Sequence, residues 1–329
     1  MSKLSDSARF RKALAGWFAK NGRDLPWRRT TDPYAVAVAE FMLQQTTVAA
    51  VIPYFHRWMQ RFPDVQELAA ASEDDVMQLW QGLGYYSRGR NLLRAAKAVV
   101  QIHGGVFPAE LEKLRLLPGF GPYTAGAVAA FAYDQPVEVI DANIARVLAR
   151  LANLRQAVDS SGGRKELSAA FSRWSPRGRS GGRQFVSALM DLGATICRPG
   201  EPDCHLCPLR AFCRATAPST LPVKKPRAAI KEIHERRGLV IRRGRLGLLP
   251  SPGPWWRSLW ILPPAGAGES IHTEIFTVTR HRVSMEVVPS KFPADGLKFF
   301  ALGNLPPMPS PHTRAVAAAL AKLHNGCDS

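Results

Sequence analysis

Cys197, Cys204, Cys207 and Cys213 fall within 17 residues, with gaps of six, two and five between them. Four thiolates this close can close round one metal centre, and a single loop would supply every ligand. Zinc sites more often pair two Cys-x-x-Cys knuckles across a longer spacer. A single tight loop suits an iron–sulfur cube, which takes four thiolates. Zinc and four unligated cysteines stay open as alternatives. A disulfide framework is not expected in a reducing compartment. Cys327 stands alone near the C-terminus and reads as incidental. Arg198, Arg210 and Arg214 surround the loop, so a bound centre there would hold a basic loop in shape against phosphate, a structural role.

The rest of the chain shares that charge. Lys plus Arg number 44 against 26 Asp plus Glu, a net +18 over 329 residues. Neutralising a polyanion releases condensed counterions, so the surplus favours nucleic acid, with an anionic membrane surface the weaker candidate. Hydrophobic residues at 46% and charged residues at 21% describe a folded chain, and the length suggests two domains. No run approaches a membrane span and the first residues lack an apolar signal core, so a cytoplasmic, nucleoid-associated protein is expected.

The first two thirds read as helical. Asp6 or Ser7 is placed as the cap of a first helix bearing Phe10, Leu14, Trp17 and Phe18. Apolar residues keep helical spacing from Tyr34 to Tyr54. Ser72 before Glu73, Asp74 and Asp75 reads as a capped first turn. Further helices are expected at about 87–103, 108–115, 122–133, 143–152, 164–174 and 183–197. Composition changes after residue 215. Pro222 to Arg245 carries nine Lys or Arg and two acids and reads as a basic, extended linker. Alternating runs at 238–241, 246–249, 259–262, 275–278 and 283–288 read as strands, with a last helix over 313–324. The expected division is 1–216, a linker at 217–237, and a smaller α+β domain at 238–329.

Two features carry chemistry. Leu116-Leu117-Pro118-Gly119-Phe120-Gly121-Pro122-Tyr123 joins two helices. Gly119 and Gly121 permit a tight turn, and Pro122 suits the first helical position. Free amides at the following helix N-terminus would face a phosphate, the helix-hairpin-helix pattern of non-specific DNA binders; an ordinary Gly-Pro turn is the plain alternative. Glu40 sits in an otherwise apolar helical stretch, where a charge is either solvated on a rim or buried for a reason. Asp141 stands where a helix should begin and reads first as an N-cap. Two acids in different environments could divide acid and stabiliser roles in cleaving a glycosidic bond.

The hairpin, an Asp about twenty residues beyond it and the cysteine gaps resemble the helix-hairpin-helix glycosylase superfamily, iron–sulfur branch. Leu25-Pro26-Trp27-Arg28, the stretch from Glu40 to Thr46, Gln81-Gly82-Leu83-Gly84-Tyr85-Tyr86 and Met190-Asp191-Leu192-Gly193 resemble MutY-type adenine DNA glycosylases over residues 8 to 215. Residues 230 to 325 resemble that family's Nudix-like domain more weakly. The resemblance implies a mainly α N-terminal catalytic region, a helix-hairpin-helix glycosylase fold with an iron–sulfur loop at 197–213, plus a smaller α+β Nudix-like C-terminal domain. It implies a monofunctional enzyme that removes adenine opposite 8-oxoguanine or guanine in double-stranded DNA, acts as a monomer and carries a 4Fe–4S cluster on Cys197, Cys204, Cys207 and Cys213. Glu40 would protonate the base and later activate water. Asp141 would stabilise the oxocarbenium-like sugar, with Tyr123 and Asn143 holding the array. Leu25, Trp27, Arg28 and Val48 would line the base pocket. Gln45 and Tyr85 would wedge the helix, and Thr46, Leu83, Gly119 and Gly121 would face DNA. In bifunctional members a Lys replaces Tyr123 and attacks the sugar, so Tyr123 implies little strand cleavage.

Two positions depart from the family. Its Phe-Ser-His-type loop, which reads 8-oxoguanine, is matched here by Thr279-Arg280-His281, so only His281 fits; Arg280 is placed against phosphate or a guanine edge. Ser187 stands where a longer polar side chain often lines the pocket. Two other readings compete: a thymine or uracil mismatch glycosylase, and a non-catalytic iron–sulfur DNA-binding protein.

Overall fold

The computed structural model describes residues 3–226, 228–253, 255–257, 259–290 and 295–325; Cys327 lies outside them. The chain divides into two compact units, residues 1–70 with 91–226, and residues 71–90 with 227–329. Among the described residues no helix is long and apolar enough to cross a membrane.

The first unit is helical: α1 (Lys3–Asn21), α2 (Pro33–Leu43), α3 (Val48–Arg61), α4 (Val65–Ala70), the later part of α6 (Ser87–His103), α7 (Leu111–Arg115), α8 (Pro122–Tyr133), α9 (Ala142–Ala152), α10 (Ser161–Trp174) and α11 (Gly182–Thr195). α2 and α8 are buried all round, as expected of central helices. α9 is instead strongly one-sided, burying Ile144, Val147, Leu148 and Leu151 against Phe10, Leu14, Phe171, Val186 and Leu189. Two glycines set close approaches. A Cβ on Gly126 would meet the Glu138 carbonyl at 2.7 Å, and one on Gly193 would meet Asn143 Cβ at 2.8 Å. Each therefore brings a helix nearer its neighbour than any side chain would allow.

Several boundaries differ from the sequence expectation. α1 already includes Lys3, so Asp6 lies in its first turn rather than capping it, and Ser7 Oγ donates to the Arg173 carbonyl at 2.9 Å. The run from Tyr34 to Tyr54 is two helices, because Gln45 takes φ 60° between them and Thr47 caps α3. Helical spacing continued through the break and hid it. Ser72 caps α5 (Glu73–Trp80) as expected, its Oγ accepting from Asp75 N at 3.1 Å.

The second unit holds α5, β1 (Lys231–Leu239), β2 (Ile241–Arg242), β3 (Arg245–Pro250), β4 (Trp260–Ile261), β5 (His272–Val278), β6 (His281–Pro289), β7 (Lys298–Ala301) and α12 (Ser310–Asn325). β1 pairs parallel with β6, and β5 pairs antiparallel with β6. β3 takes β2, β4 and β7 as antiparallel partners. Leu246, Leu248, Val283, Met285 and Val287 of the strands enclose one core with Ala315, Val316 and Ala319 of α12. Residues 71–90 join this unit through Tyr86 Oη, which donates to the Met308 carbonyl at 3.1 Å, and Arg90 Nη1, which donates to the Arg257 carbonyl at 2.7 Å.

The stretch 217–237 is not an open spacer throughout. Val158 N donates to the Val223 carbonyl at 2.9 Å, Lys225 N to the Asp159 carboxylate at 3.0 Å, and β1 begins at Lys231. The first six residues of β1 are exposed or half-buried and mostly charged or polar, so no apolar alternation marked it.

Candidate active site

Backbone geometry places the acids. Glu40 lies on α2, one turn before its end, where nine consecutive residues are buried. It is buried and lines a cavity of about 590 Å³, a size that suits a small organic ligand. Leu25, Trp27, Arg28, Gln45, Thr46, Val48, Tyr123, Asp141, Asn143 and Ser187 share the lining with Glu40. Eleven of the residues singled out from sequence thus meet at one cavity.

Burial pushes the Glu40 carboxyl up to about 7, and the nearby Asp141 charge adds to this. A hydrogen bond from Tyr123 Oη to Glu40 Oε2 at 3.0 Å and the charge of Arg28 act in the opposite sense. Desolvation wins because a carboxylate shut away from water loses more than one neutral donor returns. Burial and the two carboxylates hold the Tyr123 phenol far above its ordinary range, so it stays a neutral donor. Glu40 is therefore placed to exchange a proton near neutrality.

Asp141 is both things the sequence left open. It is the N-cap of α9, with Oδ1 accepting from Ile144 N at 2.7 Å, and it faces the cavity. Asn143 Nδ2 donates to its other oxygen at 3.1 Å. Burial raises its pKa, while those bonds and the Arg146 charge restrain the rise. The carboxylate is thereby fixed in direction. Arg146 braces Asn143 in turn: Nη2 donates to Asn143 Oδ1 at 2.8 Å and to the Gly193 carbonyl at 2.7 Å, and Nε to the Cys197 carbonyl at 2.7 Å.

Arg28 reaches the cavity already committed to Asp191, with a two-pronged pair at 2.7 and 2.9 Å. Arg23 donates to the same carboxylate through its Nε at 2.7 Å and its backbone N at 2.8 Å. Burial alone would raise Asp191, but these bonds outweigh it and hold the carboxyl below its ordinary value. Arg146, Asp191, Arg23 and Gly193 carried no assigned role in the sequence reading. Met190-Asp191-Leu192-Gly193 stood out as a motif, and the three-residue step from Asn143 to Arg146 on one helix face was the missed signal for the brace.

The hairpin is confirmed in outline. Gly119 has φ 78°, and a Cβ there would meet Asn91 at 2.6 Å. Gly121 differs from expectation: it caps α8 at φ −71° with open space where a Cβ would stand, so the turn itself does not demand glycine there. Leu83, Tyr85 and His281 do not line the cavity; all three belong to the second unit. Leu83 is buried, while Tyr85 is half exposed at φ 45°. With Gln45, Tyr85 is one of six non-glycine residues at positive φ among the described residues, backbone strain of the kind that clusters at working sites. His281 packs against Trp255 with ring centres 5.1 Å apart and the planes tilted by 44°.

The four cysteines are free thiols in one loop after α11. Buried Arg150 laces it together, donating to Cys197 Sγ at 3.3 Å and to the carbonyls of Arg198, Gly200 and Pro218 at 2.8, 3.0 and 2.7 Å. Burial pushes the Cys207 thiol up to about 11, and Cys197, Cys213 and Cys204 are close enough to add to it. Among the described residues no three His, Cys, Asp or Glu side chains are gathered onto one point as ligands of a single ion. Four soft donors on one braced loop fit a thiolate-held group, and loading would displace protons from Cys207 and its neighbours.

Known proteins sharpen these observations. Residues 38–176 match the profile of the HhH-GPD superfamily of base excision DNA repair proteins. The chain is 45% identical over 223 residues to adenine DNA glycosylase of Rattus norvegicus, covering 65% of this chain and 43% of that protein. It is 40% identical over 197 residues to adenine DNA glycosylase of Mycobacterium tuberculosis, covering 60% and 64%. The chain therefore spans less than two thirds of the length of these relatives. Among solved structures, a thermostable thymine-DNA glycosylase superposes with TM-score 0.56 at 24% identity, covering 65% of this chain and 98% of that one. An endonuclease III–DNA covalent intermediate gives 0.53 at 22%, covering 65% and 96%. Identities this low speak for the fold alone.

Proposed function

Since the chain carries the HhH-GPD domain and resembles the MutY-type adenine DNA glycosylases, we propose that it is a monofunctional adenine DNA glycosylase of base excision repair. The observation that carries the reading is Glu40, its carboxyl pushed up to about 7 by burial, lining one cavity with Asp141. An adenosine flipped from the stack enters that cavity. Protonated Glu40 delivers its proton to the adenine N7, so the base leaves neutral. Asp141, aimed by Asn143 and Ile144 N, stabilises the positive sugar. Glu40, now ionised, takes a proton from the attacking water. Tyr123 holds Glu40 by its hydroxyl and has no amine with which to form a Schiff base, so base removal proceeds with little strand cleavage.

The substrate is double-stranded DNA bearing adenine opposite 8-oxoguanine or guanine. Gln45 and Tyr85 enter the helix, and Gly119, Gly121 and the cysteine loop meet phosphates. Cys197, Cys204, Cys207 and Cys213 would hold a 4Fe–4S cluster, which supplies a rigid cross-link to the basic loop. The second unit is a Nudix-like reader, with His281 at the lesion. The protein works as a monomer in the cytoplasm, at the nucleoid.

The test uses duplexes with adenine opposite 8-oxoguanine, guanine or cytosine, scored for adenine release before and after alkali. Fast release opposite 8-oxoguanine, with nicks only after alkali, is expected. Nicks without alkali would overturn the monofunctional reading. No release from any duplex, with tight DNA binding retained, would favour a non-catalytic binding protein.

A further inference from the structure

The second unit distributes its arginines unevenly. On the β1–β6–β5 sheet and α12 they are matched to acids: Arg236 with Glu286 at 2.8 Å, Arg237 with Glu235 at 2.7 Å, Arg282 with Glu232 at 3.8 Å and Arg314 with Glu274 at 2.6 Å. The β2–β3 hairpin is built otherwise. Arg242 and Arg245 are direct cross-strand partners, and Arg243 sits between them at the tip. All three are exposed, and among the described residues none has an acid within ion-pair distance. No Asp or Glu occurs between Gly238 and Gly268.

Each choice is unfavourable for a free hairpin. Like charges directly opposite across a strand pair repel. Arg243 and Gly244 both have positive φ, 50° and 71°, a two-residue turn in which Asn-Gly is the unstrained choice. Arg242 is held to one face by its guanidinium lying 5.9 Å from the centre of the half-buried Phe299 ring. Three unmatched cations thus share one short hairpin.

We infer that the β2–β3 hairpin is a second phosphate-binding surface, which grips the backbone of duplex DNA through Arg242, Arg243 and Arg245. Phosphates placed between the arginines turn their mutual repulsion into attraction. The surface is separate from the Thr279–His281 hairpin. Lys231 at the start of β1 pairs with His281, whereas β2 follows the far end of that nine-residue strand. At about 3.3 Å per residue the two hairpins stand roughly 30 Å apart along β1. The grip is sequence-independent and adds to the lesion reading proposed above, on which it rests.

The experiment measures binding of the full chain to an undamaged 30-base-pair duplex as a function of salt. Each phosphate contact contributes a slope of about −0.9 in log K against log salt. The triple variant R242Q/R243Q/R245Q should flatten the slope by about 2.7 and weaken low-salt binding by at least about tenfold. The charge-preserving R242K/R243K/R245K should restore both, and R236Q/E286Q, which removes a matched pair, should leave both unchanged. Adenine release under saturating single-turnover conditions should be the same in all four proteins. An unchanged slope in the glutamine variant, or an equal loss in the lysine variant, overturns the inference while leaving the glycosylase reading intact. A wild-type chain that does not bind duplex DNA overturns both.

Discussion

Glu40 and His312 are both buried ionisable groups pushed toward their neutral forms, and they belong to opposite units. Burial drives Glu40 up to about 7, and burial with the nearby Arg237 charge drives His312 down to about 3. Their surroundings part company there. Glu40 lines a cavity of about 590 Å³ together with Asp141 and accepts directly from Tyr123 Oη. His312 accepts from Leu262 N through Nδ1 at 3.2 Å and lies edge-on to Trp256 with ring centres 4.9 Å apart. Its Nε2 has no hydrogen-bond partner among the described residues. A shifted pKa thus marks a working group only where space and chemical neighbours accompany it; His312 ties a strand to a helix.

The largest effect expected from this contrast is acid loss of the second unit. A histidine whose folded pKa lies below its unfolded value contributes stability above the unfolded pKa and loses it as pH falls through the folded one. Between pH 6.5 and about 3, His312 should withdraw up to about 5 kcal/mol. Urea titrations followed by tryptophan fluorescence check this. His312→Gln keeps an acceptor for Leu262 N, and an acid limb as steep in that variant as in wild type would break the contrast.

Next comes Glu40→Gln. The raised carboxyl costs nothing below pH 4.5 and its full penalty above about 7, so the variant should gain about 3 kcal/mol at alkaline pH and nothing at pH 4. Excision by the same variant should fall by about 10²–10⁴. A variant less stable than wild type at pH 8 would show that Glu40 is a structural group like His312. The smallest effect is Tyr123→Phe. Its bond lowers the Glu40 pKa, so removing it should move the alkaline limb of the pH–rate profile upward by under about one unit. A downward shift would mean that Tyr123 does not donate to Glu40.

The two units also differ in how much of each could be read beforehand. Helices α6, α8 and α9 lie within a residue of expectation because Gly104, Pro122 and Asp141 punctuate them. In the sheet unit β1, β5 and β6 begin two to seven residues before the expected runs, β3 and β4 lie within a residue of theirs, and β7 (Lys298–Ala301) was not foreseen at all. Helix signals are local, whereas a strand such as β7 is defined by its register with β3, some fifty residues away. At the site, the residue types were legible: an acid in an apolar helix, an Asp before a helix, an aromatic after Gly-x-Gly-Pro. The supports were not, since Arg146 and Arg23 look like ordinary surface cations until their carbonyl and carboxylate partners are in place.

By itself the sequence determined that this chain builds a helical unit with a cysteine loop and a basic, sheet-forming continuation. Spacing, capping residues and charge act over a few residues and need no partner. Only the tertiary structure decided which charges stay charged. Burying α2 strips water from Glu40, the α9 N-terminus gives Asp141 its amide, and packing of the sheet against α12 leaves His312 neutral. Desolvation depends on everything that surrounds a group, and those surroundings are assembled from distant parts of the chain.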